Sequence, residues 1–283
     1  MNCRNILLVI HPTKAEAAIF GSQLALAFRS EGFDVVSNFS KPLEGVSHLA
    51  TVEGIEVAIV LGGDGTILRA AELVQGHEIP ILGINMGNVG FLAEIDRPSI
   101  EEIVSGVRDR TFRGEERLVL KHRVERNGVE VHTGWALNEI TVGRNDAQMV
   151  ELFVQIDGRP LSRWGCDGVI AATPTGSTAY AFSAGGPVVW PEVRAIVFLP
   201  LAAHALFSRP MVISPESMIA IDIESKNADL SADGMRTFPL ENGDRVTIGK
   251  AESSINLVHL YKDTFTDRLV AKFKLPIEGW RGE

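Results

Sequence analysis

The sequence predicts an α/β domain built on a parallel sheet, followed by a second, mainly β domain. Strand and helix patterns alternate over residues 1–112, which is typical of a parallel sheet covered by helices. Over residues 113–262 the helical spacing disappears, and alternating strands with hairpin turns replace it. The tail, residues 263–283, has mixed charges, so we expect it at the surface, with the first domain as one candidate packing partner.

In the first domain the predicted strands are short apolar runs, at Ile6–Ile10, Phe33–Val36, Val57–Leu61 and Pro80–Asn85. The predicted helices carry apolar residues at helical spacing, over Ala15–Ser30, Thr66–Val74 and about Ser99–Val107. Gly32 suits a C-terminal cap of the first helix, and Ser99 suits an N-cap of the last. This order of elements predicts crossover connections between parallel strands.

In the second domain two dipeptides, Asn127-Gly128 and Asp157-Gly158, predict tight hairpin turns between alternating strands. The flanking strands are Leu118–Glu125 with Val129–Trp135, and Val150–Ile156 with Arg159–Trp164. Further predicted strands cover Ala195–Leu199, Met211–Ile213, Met218–Ile223 and Arg245–Ile248.

Composition narrows the functional class. The 283 residues are 45% hydrophobic and 22% charged, as in an ordinary soluble protein, and the net charge is −9. An acidic chain with a pI near 5.4 argues against general nucleic-acid or anionic-membrane binding, although it permits a nucleotide substrate. Cys3 and Cys166 lie far apart and match no metal spacing, so we expect them to be free thiols in a reducing cytoplasm. A cytoplasmic location also fits the N-terminus, where no signal-peptide pattern is seen, and the lack of a membrane-spanning apolar run.

The strand Val57–Leu61 runs into a glycine turn, which consists of Gly62, Gly63, Asp64, Gly65 and Thr66. A strand-to-helix turn in such a sheet is a common ligand site, because glycines admit an anion and the helix N-terminus offers free N–H groups. Asp64 would repel that anion, which favours a role as a base or a magnesium partner over a solvated turn residue. The turn lacks the lysine of a P-loop.

Two other stretches are candidate site segments. The turn Gly87–Leu92 follows the next predicted strand, so it either contacts the same ligand or only forms a tight bend. The block Asp167–Pro187 enters with a strand and continues with small and hydroxyl residues. There Ser177 or Thr178 could cap a short helix, and Tyr180 could stack on a flat ring; a tight packing turn is the alternative.

The Gly62–Thr66 turn resembles the loop shared by NAD kinases, diacylglycerol and sphingosine kinases and, more loosely, phosphofructokinases. The Asp167–Tyr180 block and Asn138-Glu139 are similar to NAD kinase motifs, and Ala203–Pro210 with the tail resembles the actinobacterial branch. The resemblance therefore implies a member of the NAD kinase family, with a Rossmann-like parallel sheet and a β-sandwich-like second domain of the NAD kinase/diacylglycerol kinase type. It covers nearly the whole chain.

The resemblance implies transfer of a phosphoryl group from ATP, or polyphosphate, to the 2′-hydroxyl of the adenosine ribose of NAD. Asp64 matches the proton acceptor, and Mg²⁺ would accompany ATP, with no protein metal ligands assigned. The matching dinucleotide or substrate contacts are Gly65, Arg69, Asn138, Glu139, Asp167, Thr178, Ala179, Tyr180, Ala181, Phe182 and Ser183, and Gly62, Gly63 and Thr66 belong to the donor loop. The family also implies a homodimer or homotetramer.

The sequence departs from the family pattern at Gly165, where many relatives have a basic residue; Arg163 is a possible substitute. Ala232-Asp233-Gly234 resembles the family's Cys-Asp-Gly without its cysteine; it receives no firm role, although it could meet the site of a neighbouring subunit. His204 is interpreted as a satisfied structural histidine in preference to a catalytic one, and Arg209 as structural. Two alternatives remain open: a lipid or sugar kinase with the same glycine loop, and a non-catalytic NAD(H)-binding regulator.

Overall fold

The computed structural model describes residues 4–41, 43–87 and 89–277, and it divides into two compact units. The first unit contains the chain up to Glu116 and again from Ile255, and the second contains Arg117–Ser254. The first boundary, after Glu116, lies four residues beyond the predicted domain boundary. The second boundary, before Ile255, lies eight residues before the predicted start of the tail. Cys3 and the last six residues of the tail lie outside the described residues.

The first unit is built on a seven-stranded sheet. Its strands are β1 Arg4–Ile10, β2 Phe33–Ser37, β3 Ser47–His48, β4 Ile55–Gly62, β5 Ile81–Asn85, β6 Arg113–Arg117 and, from the last part of the chain, β19 Ile255–His259. They lie in the order β3-β2-β1-β4-β5-β19-β6. The neighbours from β3 to β19 pair in parallel. The strands β1, β4 and β5 therefore end at one edge of the sheet, where loops carry the candidate site residues.

Helices cover both faces of this sheet. They are α1 Ala15–Ser30, α2 Asp64–Val74 and α3 Ile100–Arg108; a further helix of this unit, α5 Phe265–Phe273, follows β19 in sequence. Alternate strand residues such as Ile59 and Leu61 share a core with α1 and α3. The opposite face includes Gly83, against which Ile67 of α2 packs so closely that a Cβ atom would overlap it. The predicted cap at Ser99 is confirmed, since its hydroxyl and Glu102 form a reciprocal capping box.

The second unit is a pair of six-stranded antiparallel sheets with the orders β11-β10-β15-β18-β7-β8 and β14-β13-β12-β9-β16-β17. The strands are β7 Leu120–Arg126, β8 Val129–Ala136, β9 Glu139–Arg144, β10 Val150–Ile156, β11 Arg159–Cys166, β12 Gly168–Ala172, β13 Ile196–Leu201, β14 Met211–Ile213, β15 Ile219–Ile223, β16 Ala228–Ala232, β17 Arg236–Leu240 and β18 Arg245–Lys250. A 3₁₀ helix at Thr175–Thr178 and the short helix α4 Tyr180–Ser183 follow β12.

One apolar core lies between the two sheets of the second unit and draws side chains from both, such as Leu152 and Val169. Trp164 of one sheet meets Phe198 of the other with ring centroids 6.2 Å apart. The α/β unit with a parallel sheet and the antiparallel sandwich confirm the predicted fold class. Within the described residues, no helix is both long and apolar enough to span a membrane.

Candidate active site

The glycine turn lies where β4 ends and α2 begins. The helix starts at Asp64, two residues before the predicted start, because Gly63 acts as its N-cap and accepts hydrogen bonds from Thr66 and Ile67. Gly62 is sterically required, since a Cβ atom there would overlap the Thr66 side chain. In contrast, a Cβ atom at Gly63 or Gly65 would meet no described atom within 4 Å. Space therefore remains open in front of the first turn of α2.

The Asp64 carboxylate is held by the second predicted turn. Its two oxygens accept hydrogen bonds from the backbone N–H groups of Phe91, at 2.9 Å, and Leu92, at 3.1 Å. Gly90 lies so close that a Cβ atom would overlap the carboxylate. Gly90, Phe91 and Leu92 of this turn thus shape the environment of Asp64, while Asn88 lies outside the described part of the chain.

Basic side chains surround this edge of the sheet. The Lys14 ammonium donates a hydrogen bond to the Met86 carbonyl at 3.0 Å, which places it beside Gly87. Arg69 is exposed on α2 and forms no ion pair with any described residue. Burial, and then the charges of Lys14 and Arg69, lower the pKa of His11 below its usual value. Lys14 and Arg69 therefore bring two positive charges to this edge, which suits an anion.

In the second unit, the backbone of Leu137, Asn138 and Glu139 is fixed from two sides. The Asp233 carboxylate accepts hydrogen bonds from all three N–H groups, at 3.0, 2.7 and 3.3 Å respectively. Thr173 donates its hydroxyl to the Leu137 carbonyl at 2.6 Å and its N–H to the Asn138 carbonyl at 2.8 Å. The Asn138 side chain forms no hydrogen bond with described residues, so its amide is available to a ligand.

Glu139 is almost completely buried and carries a perturbed carboxyl group. Burial, and then the nearby charge of Asp233, raise its pKa to about 7, although a hydrogen bond from the Tyr180 N–H acts in the opposite direction. One carboxyl oxygen, Oε2, is buried without a partner among the described residues. A buried carboxyl oxygen without a partner is costly, so a ligand donor at this position would be strongly favoured.

The hydroxyls of the block after β12 face inward and do not cap a helix. The Ser177 hydroxyl donates to the Pro174 carbonyl at 2.6 Å and accepts from the Val189 N–H at 2.9 Å, and Thr178 donates to the Thr175 carbonyl. The predicted N-cap at Ser177 or Thr178 is therefore wrong, because α4 begins after Ala179 with no side-chain cap. These bonds satisfy polar groups that are buried where the chain passes Asn138. The contact there is close, since a Cβ atom at Gly176 would overlap the Asn138 carbonyl.

The remaining predicted residues of this block differ in exposure. Tyr180 is 47% exposed and Phe182 is 40% exposed, so neither is a core aromatic residue. Ser183 is exposed, and Thr178 and Ala179 are half-buried. Ala181 is fully buried among Ile170, Ala172 and Val197, so its methyl group packs in the interior.

Asp167 and Tyr180 both line a cavity of about 640 Å³ in the second unit. Arg144 lines the same cavity, and its Nε atom lies 2.8 Å from the Asp167 carboxylate. Arg163, the proposed substitute for the basic residue missing at Gly165, instead binds Glu224 through two nitrogens and stacks on Phe153. The cation that the structure places beside Asp167 is therefore Arg144.

His204 is exposed, and its side chain forms no hydrogen bond with a described residue; only its N–H binds the Gly165 carbonyl. The prediction of a satisfied structural histidine is therefore wrong. Arg209 is also exposed and has no side-chain partner among the described residues, so no described contact supports its predicted structural role. The aliphatic neighbours in sequence suggested burial, whereas the segment lies at the surface.

Several residues of the two site regions were not recognised from the sequence. The Asp233 side chain is 1% exposed and bridges Arg236 to the Asn138-Glu139 backbone, although its segment received no role. Thr173 lies in the predicted site segment Asp167–Pro187, but only its hydrogen bonds to Leu137 and Asn138 show that it supports the site backbone. Arg144 had no local signal, because its relation to Asp167 depends on the pairing of β9 with β12.

Comparison with known proteins identifies the family. The ATP-NAD kinase N-terminal domain matches residues 21–112, and the ATP-NAD kinase C-terminal domain matches residues 137–260. NAD kinase 2 of Streptomyces coelicolor is 44% identical over 99% of this chain and 97% of its own length. An NAD kinase from Archaeoglobus fulgidus, solved in complex with ATP, is 28% identical, with a TM-score of 0.72 over 96% of this chain and 98% of that one.

The fold is also that of yeast NADH kinase, solved in complex with NADH, with a TM-score of 0.89 over 99% of this chain and 90% of that one, at 24% identity. The two domain matches together span most of the chain, and the Streptomyces relative aligns along nearly all of it. The chain therefore belongs to the ATP-NAD kinase family.

Proposed function

We propose that this protein transfers the γ-phosphoryl group of ATP to the 2′-hydroxyl of the adenosine ribose of NAD, forming NADP, with Asp64 at the reacting hydroxyl. The role proposed for Asp64 is supported by its position in the first unit. Its carboxylate lies at the first turn of α2, held by two N–H groups, beside glycines whose Cβ positions are open. Membership of the family supplies the substrates, ATP and NAD.

The first unit would hold the donor. The open N–H groups at Gly63–Gly65, the N-terminal end of α2 and the charges of Lys14 and Arg69 suit a triphosphate. Phosphoryl transfer requires alignment and charge neutralisation more than covalent chemistry from the protein. Gly63 and Gly65 would allow the phosphates to approach the backbone closely, which a Cβ atom in that space would prevent.

The second unit would hold NAD. Asn138 offers an amide with donors and an acceptor, and the Glu139 carboxyl has an unpartnered oxygen among the described residues. These groups suit a base edge and ribose hydroxyls. Asp167 would accept a hydrogen bond at the nicotinamide end, and the half-exposed Tyr180 ring offers a face for stacking.

Asp64 would orient the 2′-hydroxyl and accept its proton. An ordinary aspartate is a weak base at neutral pH, so the proton is expected to move late, as the bond to phosphorus forms. The hydrogen bonds from Phe91 and Leu92 fix the direction of the carboxylate before substrate arrives. Such preorganisation reduces the cost of reaching the reactive geometry.

Mg²⁺ is expected to enter bound to ATP. No group of three or more metal-binding side chains occurs among the described residues, whereas Mg²⁺ usually keeps several waters and needs one or two carboxylates besides the phosphates. The Asp64 carboxylate is an oxygen ligand of the kind that Mg²⁺ prefers, so the donor set at this edge fits the ion. Bound Mg²⁺ would neutralise charge on the phosphates.

The test is an endpoint assay of NADP formation with Mg²⁺, ATP and NAD. Asp64→Asn should reduce turnover by about 10²- to 10⁴-fold, the usual contribution of a positioned acid or base, while NAD still binds by calorimetry. Asp34→Asn, an exposed aspartate on β2, is the control and should leave turnover unchanged. Full activity in Asp64→Asn would remove this residue from the mechanism.

The same assay separates the alternatives. Turnover only with polyphosphate would change the donor, and NAD binding without turnover from either donor would indicate an NAD(H)-binding regulator. Phosphorylation of a lipid or sugar in place of NAD would reject the acceptor.

We also propose a homodimer or homotetramer; a single monomeric species by light scattering at working concentration would reject it. A cytoplasmic location remains a prediction.

A further inference from the structure

The C-terminal helix α5 contacts the segment that holds Asp64. Lys272 donates a hydrogen bond to the Val89 carbonyl at 2.8 Å, and Arg268 donates to the Ala93 carbonyl. The Phe91 ring contacts two rings of α5, with centroid distances of 5.8 Å to Phe265 and 5.9 Å to Phe273. The helix therefore touches both ends and the middle of the segment Val89–Ala93.

The helix is itself firmly anchored. Arg268 is 3% exposed, and its second terminal nitrogen lies 3.1 Å from His259 Nδ1 on β19. Thr264 and Asp267 form a reciprocal capping box that fixes where α5 begins. The neighbouring Glu94 carboxylate is fully buried and accepts a hydrogen bond from the Leu260 N–H at 2.6 Å. These contacts tie α5, β19 and the segment after Ala93 into one packed unit.

The two N–H groups that orient Asp64 belong to this same segment. Phe91 contributes its N–H to Asp64 and its ring to α5, so one residue joins the helix to the carboxylate. Gly90 leaves no room for a Cβ atom, which means that the segment and the carboxylate are in close contact. A shift of the segment would therefore move the hydrogen bonds that direct Asp64.

We propose that α5 positions the Asp64 carboxylate by bracing the segment Val89–Ala93, and that Phe273 and Lys272 are positioning residues for phosphoryl transfer. No described contact joins α5 to Asp64 itself, so the effect passes through the Phe91 and Leu92 N–H groups. The inference rests on the proposed role of Asp64. A misplacement of about 1 Å at a reacting group can reduce turnover by about 100-fold, so a small relaxation of the brace should be measurable.

The first test compares Phe273→Leu and Lys272→Ala with matched controls. Phe28→Leu truncates a buried ring that pairs with Phe33 elsewhere in the first unit, and Lys262→Ala removes an exposed lysine outside α5. We expect kcat to fall about 10-fold in Phe273→Leu and about threefold in Lys272→Ala, with KM for NAD unchanged. The controls should keep the wild-type kcat even where Phe28→Leu lowers the melting temperature.

The second test needs no substrate. Backbone hydrogen exchange of a peptide that contains Val89–Ala93 should become faster in Phe273→Leu and Lys272→Ala, and stay unchanged in both controls. Unchanged exchange in both variants would overturn the brace. If α5 protected this peptide but the wild-type protein formed no NADP, the proposed function would be rejected. The proposed effect of α5 on catalysis would then be rejected as well, whereas the structural contact between α5 and the segment would stand.

A third test separates positioning from general loss of structure. In an Asp64→Asn background the brace has no reactive carboxylate to direct, so adding Phe273→Leu should cause little further loss of the residual turnover. A purely structural defect would reduce turnover by the same factor in both backgrounds, and that additive result would overturn the inference.

Discussion

At the scale of single residues, Glu139 has the most unusual environment of the candidate site. Its folded pKa of about 7 lies above the unfolded value of 4.5, because burial and the Asp233 charge disfavour the carboxylate. Between these pH values the folded protein therefore keeps a proton that the unfolded chain has lost. The resulting contribution to the free energy of unfolding is fully present below pH 4.5. It is lost as the pH rises to about 7, and the loss amounts to about 3 kcal/mol.

This linkage predicts the behaviour of Glu139→Gln, which cannot titrate. Chemical unfolding measured from pH 4.5 to pH 8 should show a smaller loss of stability with rising pH in the variant than in the wild-type protein. Glu252→Gln, an almost fully exposed carboxylate, should follow the wild-type curve. Parallel curves for wild type and Glu139→Gln would show that Glu139 titrates normally.

Arg144 leads to a prediction about the part of NAD that we propose lies at Asp167. Its pairing with Asp167 places a cation where Gly165 supplies none. Because this ion pair is partly exposed, we expect Arg144→Ala to raise the Kd for NAD only about threefold, and Arg144→Lys to recover part of that loss. Arg163→Ala removes an arginine bound to Glu224 and should leave the Kd unchanged. A larger effect of Arg163→Ala than of Arg144→Ala would reverse this assignment.

At the scale of elements, the turn between β16 and β17 secures the start of β9. Asp233 occupies this turn in a left-handed conformation, with φ 54°, and its carboxylate binds the N–H groups of Leu137, Asn138 and Glu139. Asp233→Asn replaces one acceptor with a donor that faces those N–H groups. We expect the Kd for NAD to rise by about 10-fold or more, since charged hydrogen bonds to a site backbone are lost.

Asp244 provides a matched control for this variant. It is also a buried aspartate of the second unit, bound to Arg126 through two nitrogens and to the Glu241 N–H at 2.8 Å. Both asparagine variants should lose thermal stability, but only Asp233→Asn should weaken NAD binding in calorimetry. Equal affinities in the two variants would show that Asp233 supports the fold without positioning the site.

Elements with strong local signals were predictable from the sequence. Asn127-Gly128 and Asp157-Gly158 have positive φ at all four residues, as tight hairpin turns require. The strands β3, β6, β9, β16, β17 and β19 were not predicted. β16 and β17 contain few large apolar residues, and β17 carries Pro239, which is tolerated because β17 lies at the edge of its sheet. β19 follows the second unit in sequence, so its return to the parallel sheet has no local signal.

The same division applies to the candidate site. Motifs that lie within one stretch, such as Gly62–Thr66 and Asn138-Glu139, could be recognised from sequence. Their supports could not, because Phe91 reaches Asp64 across 27 positions and Asp233 reaches Asn138 across 95. Periodicity and turn chemistry describe neighbours along the chain, whereas these hydrogen bonds depend on which strands become adjacent in a sheet.

At the scale of the whole molecule, the chain leaves the first unit at Glu116 and returns to it at Ile255. The returning β19 lies between β5 and β6, so it is an interior strand of the seven-stranded sheet. The first unit therefore needs both parts of the chain. The second unit is continuous, and its sandwich core is formed from its own residues.

This arrangement predicts that residues 117–254 fold alone. The fragment contains Asn138, Glu139, Asp167 and the Thr178–Ser183 segment, so it should bind NAD, more weakly than the full chain, and should form no NADP because it lacks Asp64. Cooperative thermal unfolding by circular dichroism tests folding, and calorimetry tests binding. A chain truncated after Ser254 loses β19 and α5, so its first unit should unfold while the second unit remains folded. An unfolded 117–254 fragment would show that the sandwich depends on the parallel sheet.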